Sequence, residues 1–203
     1  MSSVFRVQIR ARLAKPPDYV LGKFPRYERE FFLGYAQFVL RIISSREVGE
    51  ILNALIISEG ISSNRLIDLR VMIFPAKRLR RQPTRILYGS YSQSLAQISL
   101  YPLKISKERI RREGPQLFVT PPQQLSATQR TLVREAATAA ISTLTHEVLH
   151  VKFQQRGLAR YVEEGMVRRL EGTYMRQWAE KVDSVLRSQF MDSSRLGADF
   201  TSA

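Results

Sequence analysis

The chain contains two histidines, and they stand four residues apart in His146-Glu147-Val148-Leu149-His150. On a helix, positions four apart lie about 40° from each other around the axis, so both imidazoles share one face. Glu147 lies about 60° from His150 on the same surface. Two neutral imidazoles and one carboxylate are the usual protein ligands of a catalytic zinc, with the fourth position left to water. The zinc lowers the pKa of that water toward neutrality, and an adjacent glutamate takes its proton. The spacing therefore predicts a zinc site with His146 and His150 as ligands and Glu147 as general base.

A third ligand must come from another element. His150 precedes Gly157, a natural helix stop, by about 9–10 Å of helix at 1.5 Å per residue. A following helix that starts near Ala159–Arg160 and folds back antiparallel reaches that level at its fourth or fifth residue. Those residues are Glu163 and Glu164. They differ by about 100° around the axis, so one of them can face the metal, and periodicity does not choose between them.

The elements that must hold this site can be read from pattern. Phe5, Val7, Ile9, Ala11 and Leu13 alternate with Arg6, Gln8, Arg10 and Arg12, which predicts a strand with one buried face, ended by Pro16-Pro17. Phe31, Tyr35, Phe38, Val39 and Ile42 predict a helix from about Pro25 to Ile43. Ser44 or Ser45 can cap a second helix over Arg46 to Ser58, closed by Gly60. Leu66 to Phe74 reads as a strand stopped by Pro75, and two more strands are expected at Arg85 to Tyr91 and Leu95 to Tyr101. Residues 106–125 look like a connector. Ser126 is a good N-cap for a long helix through about Gln155, with Ile141, Leu144, Val148 and Val151 as its core stripe. A final helix is expected from about Arg160 to Phe190, followed by a small, polar, flexible tail. The order predicts an α+β fold.

The segment His146-Glu147-Val148-Leu149-His150, followed by Tyr161-Val162-Glu163-Glu164-Gly165-Met166-Val167, resembles the gluzincin branch of zincin metallopeptidases. In those enzymes a second helix carries an aromatic-aliphatic-x-Glu-Gly-x-small pattern whose glutamate is the third zinc ligand. The resemblance implies Glu164 as that ligand and leaves Glu163 as its neighbour. Tyr161 stands where the family has tryptophan, and Val167 where it has a small residue. The short gap from His150 to Glu164 is similar to that of the compact minigluzincins. The implied fold is zincin-like, a small mixed or antiparallel sheet packed on the motif helix. The implied edge strand, Leu95 to Tyr101 or Arg85 to Tyr91, lines the cleft and pairs with an extended peptide. On this view residues 61–190 are the metallopeptidase core. Residues 1–60 pack on it as an N-terminal strand and helices, a possible partner face, and residues 191–203 are a tail. That tail carries Asp192 and Asp199 and could lie in the cleft as a self-inhibitor.

Other zinc hydrolases fail on residues. The metzincin pattern needs a glycine and a third histidine after His150, where this chain has Phe153 and Arg156. Peptide deformylase needs a cysteine ligand, and the chain has none. With no histidine left to steady an oxyanion, an arginine or one of Tyr91, Tyr101 and Tyr174 is the expected donor.

Composition sets outer bounds. The absence of cysteine removes disulfides, thiol nucleophiles and thiolate ligands together. No apolar run reaches the roughly 18–20 residues needed to cross a bilayer. The N-terminus lacks a signal-peptide apolar core, so a cytoplasmic location is expected. Lys+Arg is 32 against Asp+Glu 18, a net +14, densest over Lys77 to Arg85. That charge attracts polyanions and frames the alternative reading. In it the chain is a basic nucleic-acid-binding or assembly protein with a structural or vestigial metal site, or a protease acting on nucleoprotein.

Overall fold

The computed structural model describes residues 8–14, 24–61, 68–74, 88–101, 105–154 and 157–196. Alternation makes the sheet. Strand β1 (Gln8–Leu13) turns Ile9, Ala11 and Leu13 inward and leaves Gln8, Arg10 and Arg12 exposed. It runs parallel to β2 (Asp68–Ile73), and β2 runs parallel to β4 (Gln97–Leu100). β3 (Gly89–Ser92) closes the order β1-β2-β4-β3 as an antiparallel edge. The sheet is mixed, and its edge toward the motif helix is β3. The Leu95–Tyr101 segment is therefore an inner strand, shortened because Gln93–Ala96 make the hairpin turn, with Ala96 at φ 46°. Of the other expected strand, residues 85–87 lie outside the described residues, as do Phe5, Val7, Pro16-Pro17, Pro75 and the whole Lys77–Arg85 run.

Two helices follow β1. α1 (Arg26–Ile43) buries Phe31, Tyr35, Phe38, Val39 and Ile42, the stripe its three- and four-residue spacing prescribes. The Ser45 hydroxyl caps α2 (Arg46–Ser58) by accepting from Val48 N–H at 3.3 Å, and Gly60 ends it at φ 57°. The expected connector is more structured than its composition suggests. It contains α3 (Lys107–Glu113), capped by Ser106, and short 3-10 turns at Pro115–Phe118 and Pro122–Gln124. Phe118 is the reason: its ring meets Phe31, Tyr35 and Phe38, each at 5.3 Å between centroids. One large aromatic in a polar stretch has no periodicity, so the sequence pattern is silent about it.

α4 (Ala127–Gln154) opens on a reciprocal cap. Ser126 Oγ accepts from Gln129 N–H at 3.2 Å, and Gln129 Oε1 accepts from Ser126 N–H at 3.0 Å. Ile141, Leu144, Val148 and Val151 are buried as expected. Gly157, at φ 61°, supplies the left-handed residue that lets the chain turn back. The expected final helix is in fact two, α5 (Arg160–Gln177) and α6 (Ala179–Leu196), broken at Trp178. Trp178 is buried and packs on Tyr174, and the break turns Val182 and Val185 into the core. Helix α6 continues through Leu196, so the expected flexible tail begins within a helix, and residues 197–203 lie outside the described residues.

Among the described residues there are six α-helices and four strands, an α+β architecture. One apolar cluster runs from Phe31 in α1 through Val71 in β2 and Ile141 in α4 to Val185 in α6. No described helix is long and apolar enough to cross a membrane.

Candidate metal centre

Helices α4 and α5 are antiparallel neighbours, as their side-chain pairings show. His150 meets Glu163, while His146 and Ser142, one and two turns earlier on α4, meet Glu171, two turns later on α5. Between the helices, ligand atoms from both converge. His146 Nε2 and His150 Nε2 lie 3.1 Å apart. Glu164 Oε1 lies 3.6 Å from His146 Nε2, and Glu164 Oε2 lies 3.5 Å from His150 Nε2. Zinc bound tetrahedrally at about 2.0–2.1 Å separates its ligand atoms by about 3.3 Å. Each of these contacts is close to that spacing, the two to Glu164 through different oxygens, and one atom from each of His146, His150 and Glu164 lies within 4.8 Å of the others, so the group can hold a metal ion.

The far side of each ring is clamped. Glu171 Oε2 lies 2.8 Å from His146 Nδ1, and Glu163 Oε1 lies 2.6 Å from His150 Nδ1. A carboxylate accepting from Nδ1–H fixes the tautomer that leaves the Nε2 lone pair aimed at the shared point. Two such lone pairs and a carboxylate oxygen converging on one point repel unless a cation lies among them, so the donor set fits a divalent ion. The Ser142 hydroxyl donates to Glu171, and Arg168 Nε donates to Glu164 Oε1 at 2.9 Å.

Of the two glutamates that periodicity left open, the structure brings Glu164 to both Nε2 atoms and Glu163 to the back of His150. Glu171 was missed by sequence reasoning. The signal was present, because Glu164 and Glu171 are seven apart and share a helical face.

Burial sorts the carboxylates. Glu147 is 7% exposed, and that burial pushes its carboxyl above the usual range. The two imidazoles and a hydrogen bond from the Tyr91 backbone N–H pull the other way without cancelling it. Glu171 and Glu164 are also partly buried, yet hydrogen bonds from His146 and Ser142 to the first, and from Arg168 to the second, hold both below it. Burial lowers the His146 imidazole, but its bond to Glu171 and the surrounding carboxylates raise it further.

Glu147 is seated by β3. A Cβ built on Gly89 would clash with Thr143 Cγ2 and come within 2.8 Å of Glu147 Oε1 and 3.1 Å of Glu147 Cγ. Glycine is what allows the edge strand to lie against the carboxylate. Of the tyrosines considered as oxyanion donors, Tyr174 is engaged elsewhere, its hydroxyl paired with Glu59 and Ser58. Tyr101 stacks on Phe74. Tyr91 lies in the strand beside Glu147. Comparison of the chain with protein-family models, with curated proteins and with solved structures finds no match.

Proposed function

We propose that the protein is a zinc-dependent metallopeptidase of the gluzincin type, with zinc held by His146, His150 and Glu164. The observation that carries this reading is the convergence of two Nε2 atoms and one carboxylate at 3.1–3.6 Å beside a buried glutamate. A bound zinc supplies Lewis acidity, lowering the pKa of a coordinated water toward neutrality and polarising a carbonyl. This chain's residues supply the rest. Glu163 and Glu171 hold the two rings in register, and Arg168 steadies Glu164. Glu147 takes a proton in the cleft and returns it to the departing amine, a role suited to a carboxyl whose proton affinity burial has raised. The outer edge of β3 lies beside Glu147, where an extended peptide can add as a further strand with its carbonyl near the metal.

Glu147→Gln tests the reading. It keeps shape and all three ligands, so the zinc content should stay as in the wild type. Cleavage of an unstructured protein substrate should fall on the order of 10²–10⁴-fold. Undiminished cleavage would remove Glu147 from the chemistry.

A further inference from the structure

Around α5, the residues next to Glu164 divide into a closed side and an open one. Glu171 lies about 20° and Val167 about 60° to one side of Glu164, and Arg168 lies about 40° to the other. Val167 is fully buried, and the side chains of Glu171, Glu164 and Arg168 are 21%, 34% and 72% exposed. Exposure thus rises across the helix surface from the α4 contact, through the candidate ligand, to Arg168. The backs of both imidazoles are taken by Glu163 and Glu171. A substrate therefore reaches His146, His150 and Glu164 from the side on which Arg168 stands.

Arg168 Nε donates to Glu164 Oε1 at 2.9 Å, and the same oxygen lies 3.6 Å from His146 Nε2. A guanidinium is planar and rigid, so both Nη atoms stand about 2.3 Å from Nε and within about 5 Å of that oxygen. The Nε bond fixes the plane of the group, and among the described residues no other hydrogen bond engages its Nη donors. Donors held in place beforehand stabilise developing charge best, because nothing must reorganise when the charge appears. The tyrosines serve less well. The Tyr174 hydroxyl is paired with Glu59 and Ser58, Tyr101 is buried against Phe74, and the Tyr91 ring packs on the core. Tyr161, one turn before Glu164 on the open side, has no hydrogen bond among the described residues to hold its hydroxyl.

We propose that Arg168 stabilises the oxyanion of peptide hydrolysis, an assignment that rests on the metallopeptidase reading of the same site. Addition of water to the peptide carbonyl forms a C–O bond, moves the π pair onto the carbonyl oxygen and gives a proton to Glu147. The Nη donors of Arg168 hydrogen-bond to that oxygen while it carries the charge. When the pair returns, the C–N bond breaks and the amine leaves with the proton from Glu147. Arg168 stays protonated throughout. A bound peptide removes water from around the guanidinium, which strengthens its hold on the oxyanion.

The test compares wild type, Arg168→Ala, Arg168→Lys and Arg169→Gln at saturating zinc, on the peptide that the wild type cleaves best from a library. Arg168→Ala should lower kcat about 10²–10³-fold, the cost of a lost oxyanion donor, with KM held within about threefold. Arg168→Lys should recover part of that loss. Arg169→Gln removes the neighbouring exposed charge and should behave like the wild type. The second readout is calorimetric binding of a peptide phosphonate, in which an anionic tetrahedral phosphorus replaces the scissile carbonyl. Arg168→Ala should weaken it about 10²-fold, yet change binding of the parent peptide, measured in the Glu147→Gln background, by less than about threefold. Equal weakening of phosphonate and parent peptide, or wild-type kcat in Arg168→Ala once zinc is saturating, would reduce Arg168 to a support for Glu164 and overturn the assignment. So would a loss in Tyr161→Phe that Arg168→Ala does not share. A wild type that cleaves no peptide removes the peptidase reading as well, whereas an active wild type matched by Arg168→Ala removes this assignment alone.

Discussion

Glu147 is placed by residues outside the candidate ligand group of His146, His150 and Glu164. Gly89 leaves no room for a methyl group between β3 and the carboxylate. Gly89→Ala should therefore displace Glu147 and lower cleavage by on the order of 10²-fold. The zinc content should be unchanged, because the ligands lie on α4 and α5; parallel metal and activity assays check both halves. The clamps behind the rings have the opposite signature. Glu171→Gln weakens the acceptor that fixes His146, and zinc affinity should fall about 10–100-fold in a competitive chelator titration. An unchanged affinity would mean that Glu171 does not orient the ring. The two histidines and Glu147 were legible in the sequence because helical spacing places them. Glu163 and Glu164 could not be separated by spacing, since adjacent residues on a helix reach the same level at different angles. What separates them here is the rotation of α5, which its packing against α4 and α6 sets.

At the scale of elements, the site depends on the antiparallel pairing of α4 and α5, and Glu59 bonds to both helices. This residue caps the C-terminus of α2, accepts from Lys152 on α4 and accepts from the Tyr174 hydroxyl on α5. Partial burial raises its carboxyl, but the bonds from Lys152 and Tyr174 outweigh that and hold it below the usual carboxylate range. A carboxyl with a depressed native pKa adds stability that is present above its unfolded value and lost as pH falls through its native value. Thermal stability should thus decline on acidification below about pH 4.5. Glu59→Gln should make that decline shallower and cost roughly 1–3 kcal/mol at neutral pH, where it leaves Lys152 without its carboxylate. Melting curves of both proteins across pH 3–7 measure this. Helices α1, α2 and α4 were legible because long apolar stripes and Ser caps announce them. The break at Trp178 was not, because no glycine or proline marks it; a buried aromatic and two valines that must reach the core impose it. The strand Gln97–Leu100 was found, but its place inside the sheet was not, since pairing order is decided by crossovers that alternation does not record.

For the whole molecule, the core shared by β1, α1, the sheet and α4 to α6 joins the N-terminal elements to those that carry His146, His150 and Glu164. The candidate ligands sit on two helices, so an ion bound among them would tie α4 to α5 and stabilise the folded chain by mass action. The measurement that bears most directly on the central claim is zinc content per chain after purification without added metal, for the wild type, Glu164→Ala and Glu163→Ala. About one zinc is expected in the wild type, little in Glu164→Ala and weakened but detectable binding in Glu163→Ala. A wild-type protein that takes up no zinc when it is supplied, or a Glu164→Ala variant that holds it as tightly, would contradict the account.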